Sequence, residues 1–213
     1  PSTVKVSDYI CSRIPELTGS RHVFLLSGGG MMHLLDAVGR STLSTIPMHH
    51  EQGAAIAAYA YGRTINSTGV CFATSGPGAS NTVTAVAAAF TDSVPMLFIS
   101  GQVSTLFSQR AHGLRQRGFQ EFNITDMVRS STKYTVYVDK AADIRYELEK
   151  ACYLARAGRP GPVWLDIPLD VQAASIELES LRGFDPVAEG LADLNPAPSP
   201  ELVASILEKL RTA

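Results

Sequence analysis

The sequence predicts an α/β fold, a doubly wound and mostly parallel sheet of about six strands with helices on both faces. Apolar runs bounded by glycine or proline alternate along the chain with helical stretches, and this order implies right-handed crossovers between parallel strands. Several runs lack polar residues at alternate positions, which indicates burial on both faces. The predicted strands are 22–26, 44–48, 69–74, 96–100, 134–138 and 163–167.

Helices are predicted between most of these strands, at 31–39, 52–64, 78–90 and 141–157. Ahead of the first strand, we expect Ser7 to cap a helix whose apolar residues recur at spacings of four and three, at Ile10, Ile14 and Leu17. The regular alternation of strands and helices is expected to stop after Pro168.

The length of 213 residues and a hydrophobic content of 45% allow one good core with some residues left over. We expect a complete domain at 1–175, a proline-rich linker at 176–198, and at 199–213 the first helix of a further domain that is cut off. Ser199 and Pro200 are predicted as the N-cap and first position of that helix, which is expected to end at Ala213. Either the apolar side of this helix folds back on the sheet, or the chain is the front part of a longer protein. We favour the second interpretation.

The balance of 18 basic and 20 acidic residues, a formal net charge of −2, gives no reason to expect nucleic acid or an anionic membrane as a partner. Small-molecule ligands are favoured instead. No run approaches the roughly 20 apolar residues of a membrane span, and no signal pattern opens the chain, so we expect a cytoplasmic protein. Three widely spaced cysteines indicate neither a disulfide framework nor a zinc site, and we expect reduced, mostly buried thiols at Cys11, Cys71 and Cys152.

Three segments follow predicted strands at the edge where open α/β sheets bind ligands: 27–30, Glu51 and 74–81. Glycines in the first and third allow backbone N–H groups to approach a ligand closely, although a plain turn explains any single cluster. Gly28, Gly29 and Gly30 with a later acid imitate a dinucleotide-binding fingerprint. That interpretation is disfavoured because the third glycine of the fingerprint is missing and His33 stands where a small residue is needed.

Glu51 lies at the end of an apolar stretch and the start of an alanine-rich helix. A carboxylic acid with little water around it can hold or share a proton near neutral pH. Such a group can direct proton transfer on a bound cofactor. The alternative is an ordinary acid at a helix start, stabilised by the helix dipole.

A set of motifs, in order from residue 4 to about 173, resembles the N-terminal, pyrimidine-binding domain of thiamine-diphosphate enzymes. The resemblance is strongest to the large subunit of acetolactate (acetohydroxyacid) synthase. Any one of these motifs would be weak, but their combination is specific. They occupy 28–30, 50–54, 73–81, 92–95, 101–103, 118–121 and 161–168.

The resemblance implies a catalytic role for Glu51, which in the family hydrogen-bonds N1′ of the aminopyrimidine and so activates the thiazolium. Phe119 and Gln120 correspond to a pair that reaches the substrate and the reactive carbon from a neighbouring subunit, with Gln120 counted as catalytic. Gly29 corresponds to a backbone position on the substrate side. Residues expected to line the pyrimidine pocket are Gly76, Pro77, Gly78 and Asn81. A helix cap at Asn81 and an ordinary loop at Phe119 and Gln120 are the alternatives.

The implied cofactor is thiamine diphosphate, with Mg²⁺ and FAD held only by domains outside this chain and no metal ligand within it. The implied reaction is decarboxylation of a 2-keto acid such as pyruvate followed by carboligation, as in branched-chain amino acid biosynthesis. The implied assembly is a homodimer or homotetramer, and the isolated chain is predicted to be inactive. Alternatives are a decarboxylase without ligation, and a non-catalytic binding or assembly module.

The loop before Phe119 is more basic than the usual synthase version and is similar to acetolactate-synthase-like proteins of polysaccharide biosynthesis. Its basic residues either meet an anionic substrate or are simply solvated. They are Arg110, His112, Arg115 and Arg117.

Overall fold

A computed structural model describes residues 3–110, 112–194 and 196–212 and contains a six-stranded parallel sheet. The prediction of a doubly wound α/β fold is confirmed. The strand order in this sheet is β3-β2-β4-β5-β7-β6, and a separate two-stranded sheet joins β1 to β8. The strands are β1 Thr3–Lys5, β2 His22–Leu25, β3 Ser44–Pro47, β4 Gly69–Ala73, β5 Met96–Gln102, β6 Tyr134–Tyr137, β7 Pro162–Pro168 and β8 Ser175–Glu177.

Helices cover both faces of the six-stranded sheet. One face packs on α1, α2, α7 and α8, and the other packs on α3, α5 and α6. The helices are α1 Val6–Thr18, α2 Met32–Arg40, α3 Glu51–Ile65, α4 Pro77–Asn81, α5 Val83–Thr91, α6 Ile124–Val128, α7 Ile144–Arg156, α8 Leu169–Ala173 and α9 Pro200–Thr212.

The central strands β4, β5 and β7 are buried along their whole length, as the apolar runs predict. Successive side chains of a strand point to opposite faces, so each strand feeds two cores. Phe72 belongs to the core under α1 and α7, whereas Cys71 belongs to the core under α3 and α5. In the second core Phe98 and Trp164 stack with their ring centroids 5.0 Å apart. Cys11, Cys71 and Cys152 are buried free thiols, as expected.

The predicted cap at Ser7 is wrong. Helix α1 begins two residues earlier than that cap predicts, at Val6, and its N-cap position is Lys5, which makes no side-chain cap hydrogen bond. Ser7 lies inside the first turn, and its buried Oγ has no partner among the described residues. The cause is not local, because β1 pairs with β8 and the Val6 N–H donates to the Ala174 carbonyl at 2.9 Å.

The regular pattern also continues beyond Pro168, contrary to expectation, with α8 and β8. The predicted helix at 78–90 is divided into α4 and α5 at Thr82, whose hydroxyl donates to the Ala79 carbonyl at 2.8 Å. Hydroxyl groups that bond back to the preceding turn commonly disturb a helix in this way.

Helix α9 forms where the sequence predicts it. Ser199 Oγ accepts a hydrogen bond from the Leu202 N–H at 3.2 Å. None of its described residues is buried, so the apolar side does not fold back on the sheet. Ala213, its predicted end, lies outside the described residues. Within the described chain, every helix is too short or too polar to pass through a lipid bilayer. The exposed apolar residues of α9 are Leu202, Val203, Ile206, Leu207 and Leu210.

Candidate active site

Three loops meet at the carboxyl edge of the sheet because the strands before them are neighbours. Strand β2 pairs with both β3 and β4, in parallel, so 27–30, Glu51 and 74–81 all emerge on the same side. A side chain joins two of these loops directly, since Thr74 Oγ1 accepts a hydrogen bond from the Gly30 N–H at 3.0 Å. The predicted convergence of the three loops is therefore observed.

Glu51 is the first residue of α3 and is only 9% exposed. His50 caps this helix, because its Nδ1 accepts from the Gln52 N–H at 3.1 Å. Asn81 Nδ2 donates to Glu51 Oε2 at 3.0 Å. The other carboxyl oxygen, Oε1, faces Gly78, where an added Cβ would lie 3.3 Å from it. One oxygen is thus bonded to Asn81, while the other lies beside the backbone of a glycine.

Helix α3 also provides a dry flank for this carboxyl group. Ala54, Ala55 and Ala58 are completely buried in the core between the sheet and the helices α3 and α5. Small side chains let α3 pack closely on β4 and α5. The apolar surroundings strengthen any hydrogen bond that Glu51 makes, because few water molecules compete for it.

Two glycines shape the loop opposite Glu51. Gly76 has a φ of +60°, and a Cβ there would overlap the Gln120 carbonyl. A Cβ at Gly78 would lie 2.5 Å from Thr74 Cγ2. Pro77 is exposed and begins α4. The loop therefore packs tightly, with Gly76 against Gln120 and with Gly78 against Thr74 beside Glu51.

Phe119 and Gln120 lie at the end of a long loop that Glu121 holds in place. The buried Glu121 carboxylate accepts hydrogen bonds from the backbone N–H groups of Gln109, Arg117 and Gly118, at 2.6, 3.0 and 3.0 Å. Burial acts to raise the pKa of Glu121, but these donors outweigh it and hold the pKa below its ordinary value. The ionised carboxylate thereby fixes the loop.

A cavity of about 500 Å³ opens between this loop and the first glycine loop. Gly29, Phe119 and Gln120, the three residues predicted on the substrate side, all line it. Phe119 is 84% exposed, and Gln120 adopts a φ of +54°, a left-handed conformation that side chains rarely take. Glu51 does not line this cavity, although Gly76 joins the two places through its contact with Gln120.

Sequence reasoning missed a buried polar network behind the loop. Asp166 is completely buried in β7 and accepts from Ser100 Oγ at 2.6 Å and from Gln102 Nε2 at 3.1 Å. The same Gln102 Nε2 donates to the Phe122 carbonyl at 2.9 Å, and Trp164 Nε1 donates to Ser100 Oγ at 2.8 Å. Burial raises the pKa of Asp166 to about 7. The signal in the sequence was a carboxylate inside an otherwise apolar strand.

The first glycine loop, 27–30, is also held in place by a buried polar side chain. Gln172 is buried on α8, and its Nε2 donates to the carbonyls of Gly30 and Ile167 at 2.8 and 2.7 Å. A Cβ at Gly101 would overlap the Gly30 carbonyl, so β5 also approaches this loop closely. Residues that are distant in sequence therefore set the conformation of the loop.

The chain belongs to the thiamine pyrophosphate enzyme family, whose N-terminal TPP binding domain matches residues 4–127. Curated relatives include acetolactate synthase 2, chloroplastic, of Zea mays, 44% identical over 79% of this chain, and the acetolactate synthase isozyme 2 large subunit of Escherichia coli, 40% identical over 76%. The chain spans 25% and 28% of these two proteins. The resemblance inferred from the motifs is confirmed, and the domain is an acetolactate-synthase-like thiamine-diphosphate domain.

The site fits the pyrimidine half of that cofactor. A pyrimidine ring nitrogen can share a proton with a carboxyl group, and Glu51 Oε1 lies beside the Gly78 backbone while Oε2 is bonded to Asn81. Gly76 and Gly78 add no side chain of their own to the loop beside this oxygen, and Gln120 and Thr74 pack where their Cβ atoms would lie. Among the described residues, no group of three or more His, Cys, Asp or Glu side chains is arranged to hold a metal ion.

Proposed function

We propose that this chain supplies the pyrimidine-binding half of the active site in an enzyme that decarboxylates a 2-keto acid and joins the remaining fragment to a second carbonyl compound. The observation that carries the proposal is the Glu51 carboxyl group, with Oε2 bonded to Asn81 and Oε1 beside Gly78. Thiamine diphosphate supplies the electron sink that decarboxylation requires.

In this proposal Glu51 holds a proton against the pyrimidine ring nitrogen. Asn81 fixes the orientation of the carboxyl group, so that a single oxygen is presented to the ring. Gly76 and Gly78 allow the ring to lie against the backbone, and the buried alanines of α3 keep water away from the hydrogen bond. Each role depends on positioning and on a dry environment, which are the usual sources of such catalysis.

The rest of the site belongs, in this proposal, to other parts of the enzyme. Mg²⁺, the diphosphate group and any FAD are assigned to segments outside this chain, and the active unit is a homodimer or homotetramer. Phe119 supports the assignment of a covering partner, because 84% of a large aromatic side chain is exposed beside the cavity. Helix α9 supports it as well, with its exposed apolar side.

The experiment is a comparison of Glu51→Gln with wild type in the whole protein, measuring pyruvate consumption that depends on thiamine diphosphate. Loss of the acid is expected to lower the rate by about 100-fold or more, the usual contribution of a positioned proton-transfer group. Glu16→Gln is the matched control because Glu16 is a surface acid with 67% of its side chain exposed. Equal rates in wild type and Glu51→Gln would favour a non-catalytic module instead.

Product analysis separates the two enzymatic alternatives. Acetolactate from pyruvate indicates ligation, whereas acetaldehyde alone indicates simple decarboxylation. Because the loop before Phe119 is more basic than in the usual synthase, the acceptor has to be identified by experiment.

A further inference from the structure

The cavity beside Phe119 is largely apolar but contains one permanent charge. Among the residues that line it in the described chain, Arg117 is the single charged one. The polar side chains of Ser75, Ser104 and Gln120 share the wall with it. The apolar residues that line the cavity are Met32, Val103, Phe107, Phe119 and Leu169.

The guanidinium of Arg117 has hydrogen-bonding capacity to spare. Its Nη1 lies 2.6 Å from His112 Nε2, which must accept because a guanidinium only donates. No carboxylate of the described residues pairs with it, since none of the ion pairs within 4.0 Å involves Arg117. The nearby Glu121 is engaged by backbone N–H groups, including that of Arg117 itself. Arg117 therefore lines the cavity, and its guanidinium has no counter-ion among the described residues.

The other two arginines of the loop differ from Arg117. The guanidinium of Arg110 donates to Asn123 Oδ1 at 2.9 Å and to Thr125 Oγ1 at 2.7 Å, and it lies 4.1 Å from the centre of the Tyr137 ring. Arg110 is thus a structural residue. Arg115 is exposed and does not line the cavity. Of the three arginines of the loop, Arg117 is the one that lines this cavity.

We propose that Arg117 is a specificity-determining residue that binds the carboxylate of an acceptor 2-keto acid in this cavity. The inference rests on the proposed function and names the substrate group that this site recognises. Arginine suits the task because its planar fork of donors matches the two oxygens of a carboxylate. The apolar lining takes the short alkyl end of the same molecule.

The acceptor is favoured over the donor for a chemical reason. Decarboxylation breaks the bond to the donor carboxylate, and carbon dioxide leaves as a neutral molecule while the bonding electron pair stays behind. A cation against that carboxylate would stabilise the ground state more than the transition state and would slow the step. The carboxylate of the acceptor keeps its charge throughout, so binding it carries no such penalty.

The test uses the whole protein with pyruvate as donor and two competing acceptors, 2-ketobutyrate and propanal, which share an ethyl group and differ in the carboxylate. The variants are Arg117→Ala, Arg117→Lys and the matched control Arg115→Ala. Arg117→Ala is expected to lower the ratio of 2-ketobutyrate product to propanal product by about tenfold or more. Arg117→Lys should retain part of the preference, and Arg115→Ala should leave it unchanged. An equal ratio in wild type and Arg117→Ala overturns the proposal.

Calorimetric titration without thiamine diphosphate separates this inference from the proposed function. Wild-type protein is expected to bind 2-ketobutyrate more tightly than the uncharged 2-oxobutanamide, with the difference lost in Arg117→Ala and kept in Arg115→Ala. Equal binding of acid and amide by wild type rejects the role of Arg117. If wild type shows no cofactor-dependent turnover, the proposed function fails, while the titration still decides whether Arg117 recognises a carboxylate.

Discussion

Two buried carboxyl groups of this domain, those of Asp166 and Glu51, differ in how their oxygens are hydrogen-bonded. Asp166 is completely buried, and two donors from the neighbouring strand β5, Ser100 and Gln102, satisfy both of its oxygens. Glu51 is 9% exposed, and only Oε2 is bonded to a side chain, that of Asn81. The contrast shows how to tell a structural acid from one available to a ligand. Asp166 completes a network within the protein, whereas Glu51 presents an oxygen to a glycine-lined surface.

The largest effect is expected from truncating the two acids. Asp166→Ala leaves the Ser100 hydroxyl and the Gln102 amide without their acceptor in the core, which should lower the free energy of unfolding by about 3 kcal/mol. Glu51→Ala should lower it less, by about 1 kcal/mol, because the side chain loses one hydrogen bond, from Asn81. Urea unfolding of the 213-residue chain measures both. Equal losses would erase the distinction between the two sites.

The second prediction concerns the glycine loop beside Glu51. Gly76→Ala places a Cβ against the Gln120 carbonyl and requires a side chain at a φ of +60°, so we expect a loss of about 1–3 kcal/mol in unfolding free energy. Gly39→Ala is the control, because nothing lies within 4 Å of its Cβ position on α2. That variant should be neutral or stabilising by about 0.5 kcal/mol. Similar thermal denaturation curves for the two variants would argue against a tightly packed loop.

The third prediction is a pH dependence specific to Asp166. Burial raises the pKa of Asp166 to about 7, well above its unfolded value, so the folded protein keeps a proton that the unfolded chain has released. This contribution to stability is complete below about pH 4 and is lost as the pH rises towards 7. Asp166→Asn should remove a slope of about 1 kcal/mol per pH unit across that window. Parallel stability curves for wild type and Asp166→Asn would show that the carboxyl group does not titrate in this way.

The smallest effect is expected from Asn81→Ala, which removes the hydrogen bond to Glu51 and leaves the carboxyl group itself in place. A neutral hydrogen bond contributes about 0.5–1.5 kcal/mol, so the rate should fall by about 3- to 10-fold, less than in Glu51→Gln. Ser80→Ala is the neighbouring control, since the Ser80 hydroxyl bonds only the Pro77 carbonyl among the described contacts. The measurement is pyruvate turnover by the whole protein. A loss as large as that of Glu51→Gln would mean that Asn81 acts directly on the cofactor or substrate.

The sequence predicted the central sheet well because each of its strands carries its own signal. All six were recognised within a few residues of their observed bounds, and the central strands β4, β5 and β7 have the apolar runs that burial on both faces requires. Parallel pairing then fixes which ends of the strands meet, so the convergence of 27–30, Glu51 and 74–81 followed from the order of elements alone. Membership in the thiamine pyrophosphate enzyme family was also readable from local motifs.

Contacts between distant residues could not be predicted in the same way. The start of α1 depends on the pairing of β1 with β8, about 170 residues away, which overrode the capping preference of Ser7. The role of Arg110 as a structural residue and the position of Arg117 at the cavity depend on how Glu121 folds the loop.

By itself, the sequence determined the fold class and the edge of the sheet where the two glycine loops and Glu51 meet, because periodicity and strand order are properties of the chain. Tertiary structure alone decided which polar groups are satisfied and which face open space. That outcome depends on donors and acceptors brought together by folding, as Asn81 is with Glu51 and Ser100 is with Asp166.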